Sequence, residues 1–415
     1  MGTYQICGGK PLCGEISIHG AKNSVLPILA ATLVSGGVYR LYNCPDISDV
    51  TCALEILRSL GCRTERQGDT ITVDTYPADS AYISAGLMKK MRAAILFLGA
   101  LLARFGQARL SHPGGCVLGR RPIDLHLKGL RHLGAQCAEE DGELICRAEK
   151  LTGGTVALPF PSVGATENLI LAALACEGET ILCNAAREPE IGDLIGFLNT
   201  CGAEISGADT SVLRIHGGRP LHGGEYTVMP DRMETATYLA AAAATGGNVI
   251  LHNTLPCHLT AVTEVLRRAG CRIGENETGM CLQAGPLRAV SPIRTAPYDG
   301  FPTDAQAPVM AALSKARGVS IFEEAIFSDR FRHVPALCAM GAKIHAVGAQ
   351  AIVEGVETLH GAQVTATDLR GGAAMVIAAL SAEGESRIDA TEHMERGYEA
   401  FAENLRACGA QIIIQ

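Results

Sequence analysis

ATYLAAAAATGGNVIL, residues 236–251, followed by LRRAGC, residues 266–271, is the pattern that decides the fold. An Ala-rich run with no polar face reads as a helix buried on all sides. It stops at a glycine and passes into an alternating, β-branched strand. A second helix then ends on a leucine phrase closed by Gly270, which suits the left-handed position that terminates a helix.

Both phrases recur. The leucine phrase reads LRSLGC at Gly61, LRHLGA at Gly134, LNTCGA at Gly202, LRRAGC at Gly270, LCAMGA at Gly341 and LRACGA at Gly409, spaced by 73, 68, 68, 71 and 68 residues. The apolar helix running into glycine and strand recurs at Gly37, Gly106, Gly178, Gly247, Gly318 and Gly384. A fixed period of this length marks repeated supersecondary units. Each reads as strand, buried helix, strand, outer helix, strand, strand. The fold class is therefore α/β, with six βαβαββ units, three per lobe, each lobe an inside-out barrel that encloses its helices within sheet.

Composition narrows the function. With 415 residues, two domains are expected. A net charge of −8 disfavours broad nucleic-acid binding, so any important positive charge is local. The 16 cysteines show neither zinc spacing nor a CxxC pair, and the first residues, MGTYQICGGKPLCG, lack the apolar core of a signal peptide. Reduced thiols and a cytoplasmic location are expected. The longest uncharged apolar run, Ala93 to Ala103, is too short to span a bilayer.

If the repeats are related by rotation, the buried helices of a lobe direct their N-termini to one end, where anions are favoured. The residues at those starts are Lys22 and Asn23, Arg92, Thr166, Asp231 to Thr235, Asp304, and Asp368 to Arg370. Four of the six starts carry Lys or Arg, which oppose the helix dipole, and that conflict suggests a multiply charged anionic ligand. The stretch SHPGGCVLGRRPIDLH, residues 111–126, adds Cys116 behind Pro113, Gly114 and Gly115 and ahead of Arg120 and Arg121. Proline and paired glycines predict a loop, and adjacent guanidinium groups favour a reactive thiol.

Nine motifs in order carry a resemblance: HGAKNSVLPILAATL, GGCVLGRRPIDLH, SVGATEN, NAAREPEIGDL, PDRMETATYLAAAA, FPTDAQAP, SDRFRHVPAL, ATDLRGGAA and HMERGYE, from residue 19 to residue 399. Together they resemble the UDP-N-acetylglucosamine 1-carboxyvinyltransferase family of enolpyruvyl transferases. The resemblance implies one lobe over 22–229, another from 1–21 plus 230–415, and an active site in the cleft between them. It implies transfer of the enolpyruvyl group of phosphoenolpyruvate to the 3-hydroxyl of UDP-N-acetylglucosamine with release of phosphate, opening peptidoglycan precursor synthesis. The methylene carbon must be protonated while a hydroxyl is deprotonated, so an acid, a base and cationic clamps are needed.

By its matching position, Cys116 is implied as the acid and as the thiol that fosfomycin alkylates in similar enzymes. Asp304 is implied as the base, although a Pro-Thr-Asp phrase also suits a helix cap. Lys22 and Arg396 complete the catalytic set. Phosphoenolpyruvate is expected at Lys22, Asn23, Arg121, Arg330, Arg370 and Arg396. The nucleotide sugar is expected at Asn23, Arg92, Arg121, Pro122, Ile123, Asp124, Leu125, Ser162, Val163, Gly164, Asp304 and Ile326. Planar guanidinium groups suit bidentate grip on carboxylate and phosphate. Asp231 and Glu234 are expected to be structural. The resemblance implies no metal or redox cofactor, and small-molecule partners only.

Departures from the family pattern are few. Phe160 and Pro161 stand where many relatives carry a lysine near the diphosphate, Arg120 is an additional arginine, and Lys89 and Lys90 precede Arg92. The rival readings are enolpyruvylshikimate-phosphate synthase, which lacks the GGC loop thiol; a non-catalytic binder of the nucleotide sugar; and an RNA-terminal phosphate cyclase, which the charge disfavours.

Overall fold

The leucine phrases are helix terminators of one kind. All six closing glycines adopt φ between 93° and 105°. In every copy the residue after the glycine donates its N–H to the leucine carbonyl five positions back: Cys62 to Leu57, Ala135 to Leu130, Ala203 to Leu198, Cys271 to Leu266, Ala342 to Leu337 and Ala410 to Leu405, each at 3.0 Å. This is the six-to-one bond of a Schellman cap, and it explains why leucine and glycine recur at fixed spacing.

A computed structural model describes residues 2–111, 123–276 and 279–415. The chain divides into two compact units, one of residues 20–111 and 123–229 and the other of residues 2–19 and 230–415. Each has its own apolar core. The first contains the buried helices α1 (Lys22–Ala31), α2 (Phe97–Phe105) and α3 (Val163–Ala173). The second contains α4 (Arg232–Thr245), α5 (Thr303–Leu313) and α6 (Leu369–Ser381), which pack against one another. In α4 every residue but Thr245 is buried, and the alanines let neighbouring backbones come close. No described helix is long and apolar enough to cross a membrane.

Six four-stranded sheets surround these helices among the described residues, and all share one strand order. In one of them Thr155–Ala157 runs parallel to Glu179–Cys183, with α3 as the crossover. Glu179–Cys183 pairs antiparallel with Val212–His216, which pairs antiparallel with Glu204–Ser206. Three sheets borrow a distant strand, one of them by setting Cys13–Ser17 parallel to Asn248–His252. Thr3–Cys7 inserts between Glu385–Asp389 and Gln411–Ile414 to complete the last repeat. Glu225–Thr227 returns beside Val38–Tyr42 to complete the first.

The second glycine phrase is less uniform. Gly106, Gly178, Gly318 and Gly384 have positive φ, but at 246–247 it is Gly246, at 71°, that takes this conformation. Gly247 serves close approach instead, since a Cβ there would lie 2.2 Å from the Leu12 carbonyl oxygen.

Candidate active site

In the first unit, α1 begins with the expected pair Lys22 and Asn23. Lys22 is buried, and its Nζ lies 2.8 Å from Oδ2 of Asp49, in the first turn of helix Ser48–Ser59. Next to them, Ser24 donates its hydroxyl to Asp193 Oδ2. Asp193 also accepts from the Tyr226 hydroxyl at 2.7 Å and from the Met229 N–H at 3.3 Å. Burial nonetheless pushes the Asp193 carboxyl above its usual range. The start of α1 is therefore pinned to two neighbouring helices through carboxylates.

Arg92 opens a short helical turn, Arg92–Leu96, and is half-buried. Beside it is a network that sequence reasoning missed. Asn168, on α3, accepts the Gly99 N–H at 2.6 Å and donates to the Ile95 carbonyl at 3.0 Å. Its Nδ2 lies 2.8 Å from Nδ1 of the buried His126. An amide N–H facing Nδ1 makes that nitrogen the acceptor, which assigns the ring proton to Nε2. Burial, and then the charge of Arg92, lower the His126 pKa to about 4, so the ring is neutral near pH 7. A Cβ at Gly164 would meet His126 Cε1 at 3.3 Å, so glycine lets the first turn of α3 lie against the imidazole.

Ser162 is the N-cap of α3, accepting from the Ala165 N–H at 3.4 Å, with Val163 and Gly164 in the first turn. Thr166, expected at the helix start, instead lies one turn inside and accepts the Ala186 N–H at 3.0 Å. Ile123 is buried ahead of helix Asp124–His132, where Asp124 forms an exposed pair with Lys128 at 3.3 Å. Leu125 is half-buried. Cys116, Arg120, Arg121 and Pro122 lie outside the described residues.

In the second unit Asp304 lies between two arginines. Its Oδ1 accepts from Arg330 Nη2 at 2.7 Å, and its Oδ2 accepts from Arg370 Nε at 3.2 Å. Both arginine side chains are 3% exposed, against 30% for Asp304. Asp304 is not the cap its phrase suggested: the N-cap position of α5 is Pro302, and the carboxylate is turned to the guanidinium groups. Arg330 is fixed by two further bonds to the Thr303 carbonyl, at 3.2 and 3.1 Å. Arg370 stacks on Tyr398 at 5.1 Å, and its Nη1 finds no hydrogen-bond partner among the described residues. Burial opposes the Arg370 charge, yet the Tyr398 hydroxyl and the Asp304 and Asp231 carboxylates hold its pKa above the ordinary value.

Glu324, also buried, organises the surrounding loop. It accepts from Thr295 at 2.9 Å, from Thr303 at 2.9 Å, and from the Ile326 and Phe327 N–H groups at 2.9 and 3.1 Å. Ile326 is thereby held half-exposed. Asp231 caps α4, accepting from the Met233 and Glu234 N–H groups, and Glu234 binds His19 Nδ1 at 3.0 Å. Asp368 caps α6 through the Arg370 and Gly371 N–H groups. Arg396 is half-buried. Among the described residues no group of three or more His, Cys, Asp or Glu is placed to hold a metal ion.

One device occurs in both units. Pro27 lies four residues after Asn23 in α1, and Pro308 four residues after Asp304 in α5. Proline has no N–H, so neither the Asn23 nor the Asp304 carbonyl receives the usual intrahelical bond from that position.

A family profile described as EPSP synthase (3-phosphoshikimate 1-carboxyvinyltransferase) matches residues 6–405. The chain is 46% identical over 415 residues to UDP-N-acetylglucosamine 1-carboxyvinyltransferase 2 of Caldanaerobacter subterraneus subsp. tengcongensis, covering 100% of this chain and 99% of that protein. It is 46% identical over 423 residues to UDP-N-acetylglucosamine 1-carboxyvinyltransferase of Granulibacter bethesdensis, covering 99% of each. The crystal structure of the enolpyruvyl transferase NikO from Streptomyces tendae matches with a TM-score of 0.91 and 27% identity, over 100% of this chain and 99% of that one. EPSP synthase from Acinetobacter baumannii, 20% identical over 100% of each chain with a TM-score of 0.76, shares the fold. The chain belongs to the enolpyruvyl transferase family, and within it to the UDP-N-acetylglucosamine 1-carboxyvinyltransferases.

Proposed function

We propose that this chain transfers the enolpyruvyl group of phosphoenolpyruvate to the 3-hydroxyl of UDP-N-acetylglucosamine and releases phosphate, at the first committed step of peptidoglycan precursor synthesis in the cytoplasm. Full-length identity to enzymes of that name supports the reaction. The observation that carries the chemistry is Asp304 held between Arg330 and Arg370. A carboxylate so placed occupies the guanidinium edges that would otherwise bind an anion. An incoming phosphoenolpyruvate competes for those edges and releases Asp304 toward the sugar hydroxyl, where it takes the proton as that oxygen attacks.

The remaining roles are those the family resemblance implies. Cys116 delivers the proton to the methylene carbon. Lys22, Asn23, Arg121, Arg330, Arg370 and Arg396 hold the phosphate and carboxylate. Arg92, Arg121 to Leu125, Ser162 to Gly164 and Ile326 hold the nucleotide sugar. Asp49 is a positioning residue: it fixes the Lys22 ammonium before substrate arrives. The neutral His126 packs against the first turn of α3 and adds no charge beside Arg92. Phe160, 40% exposed, gives an apolar surface where many relatives have lysine, so the diphosphate relies on other cations.

Acceptor choice tests this reading. With phosphoenolpyruvate as donor, phosphate release is expected with UDP-N-acetylglucosamine and not with shikimate 3-phosphate. Release with the shikimate alone would assign the chain to the other branch of its family. Binding of the nucleotide sugar without phosphate release would make it a non-catalytic binder.

A further inference from the structure

Fifteen cysteines lie among the described residues, and two of them face each other. Strands Gln136–Glu140 and Glu143–Arg147 form a hairpin whose register pairs Cys137 directly with Cys146. The turn is the two residues Asp141 and Gly142, both with positive φ, at 51° and 77°. A two-residue turn of this kind closes on the hydrogen-bonded pair Glu140 and Glu143, and pair types alternate from there. Three steps on, Cys137 and Cys146 form a non-hydrogen-bonded pair, whose Cα atoms stand about 4.5 Å apart. That separation is within the span of a disulfide. Directly opposed residues share a face, and the two thiols are close enough to hydrogen-bond. No other described cysteine is opposite a cysteine in its sheet.

The two sulfurs are not equivalent. Cys146 is fully buried, whereas Cys137, on the outermost strand of its sheet, is partly exposed. Arg131, from the preceding helix, donates to the Cys137 carbonyl at 3.0 Å, which brings a guanidinium to this strand. The hydrogen bond from Cys146 and then Arg131 outweigh burial to lower the Cys137 pKa, while the same bond and burial push that of Cys146 well up.

We propose that Cys137 and Cys146 form a redox modification site: a peroxide oxidises the partly exposed Cys137, and the buried Cys146 resolves it into a reversible cross-strand disulfide. The Cys137 thiolate attacks one peroxide oxygen, the O–O bond breaks, and water leaves after protonation, giving a sulfenic acid. The Cys146 sulfur then attacks the Cys137 sulfur. The S–O bond breaks, and the departing hydroxide takes the Cys146 proton. Two thiols and one hydrogen peroxide become one disulfide and two waters, with each sulfur losing one electron. A dithiol reductant reverses the bond, as suits a thiol pair in a reducing compartment.

The test is peptide mapping of the whole protein after brief treatment with hydrogen peroxide and quenching by alkylation. The expected product is a Cys137–Cys146 linked peptide that disappears on adding dithiothreitol, with modification of the family thiol Cys116 scored separately. Cys146→Ser should halt the reaction at a Cys137 sulfenic acid trapped by dimedone. Cys137→Ser should leave Cys146 unmodified. Arg131→Gln should slow Cys137 alkylation several-fold near neutral pH and much less near pH 10. The proposal is overturned if Cys137 and Cys146 remain thiols while the exposed Cys7 or Cys13 is oxidised. It is equally overturned if Cys137 in the Cys146→Ser protein is inert to dimedone under conditions that oxidise other thiols.

Discussion

Asp304→Ala removes the carboxylate that Arg330 and Arg370 share. Both guanidinium groups are 3% exposed, so without the carboxylate they are left poorly solvated. Removing one partner of a buried ion pair costs about 3–5 kcal/mol. Asp304 is itself 30% exposed and Arg330 keeps two bonds to the Thr303 carbonyl, so the lower figure, about 3 kcal/mol, applies. For a unit of this size that corresponds to a fall in Tm of roughly 6–12 °C. The same loss leaves two unmatched cations, so inorganic phosphate should stabilise the variant more than the wild-type protein. Thermal unfolding followed by circular dichroism, with and without phosphate, reads both effects. Turnover should fall by several orders of magnitude with fold retained. A variant as stable as wild type, or one that phosphate stabilises no more than wild type, would refute the view that Asp304 occupies an anion site.

Acid should destabilise the protein through two buried histidines. His126 and His333 are buried, and burial lowers the pKa of each to about 4. A depressed histidine contributes stability that is present above its unfolded pKa of about 6.5 and is lost as pH falls toward 4, by about 3 kcal/mol per residue at pH 4. Urea midpoints between pH 7 and pH 4 should fall accordingly, and His126→Gln should flatten that dependence. Asn168→Ala removes three buried hydrogen bonds, to Gly99, Ile95 and His126, and should cost about 3 kcal/mol in urea unfolding. It should also raise the KM for the nucleotide sugar more than that for phosphoenolpyruvate, because Arg92 lies on the same turn. Gly247→Ala forces a Cβ to 2.2 Å from a backbone oxygen and should cost about 1–3 kcal/mol, whereas Gly178→Ala, with nothing within 4 Å, should show only the strain of its positive φ.

The repeat was legible because each copy encodes a helix terminator, and a terminator needs particular residues at fixed positions. The six leucine–glycine phrases coincide with six Schellman caps. What the pattern could not show is which strand completes which sheet. The partners of Thr3–Cys7 and Glu225–Thr227 lie far off in the chain, at Glu385–Asp389 and Val38–Tyr42. Hydrophobic alternation reports a strand's faces, not its neighbour. Among site residues, the helix starts were legible from composition, but their partners were not. Asp49 looks like any acidic residue in a first helical turn, and only the fold brings it to Lys22. Asp304 looked like a cap because Asp near a helix start is commonly one, and its two arginines, 26 and 66 residues on, draw it away.

The most direct measurement is the structure of the product. Incubation of the protein with phosphoenolpyruvate and UDP-N-acetylglucosamine, followed by nuclear magnetic resonance of the nucleotide sugar, should show an enolpyruvyl ether on the 3-oxygen and one phosphate released per ether formed. An unaltered sugar, or an enolpyruvyl group on any other oxygen, would contradict the account.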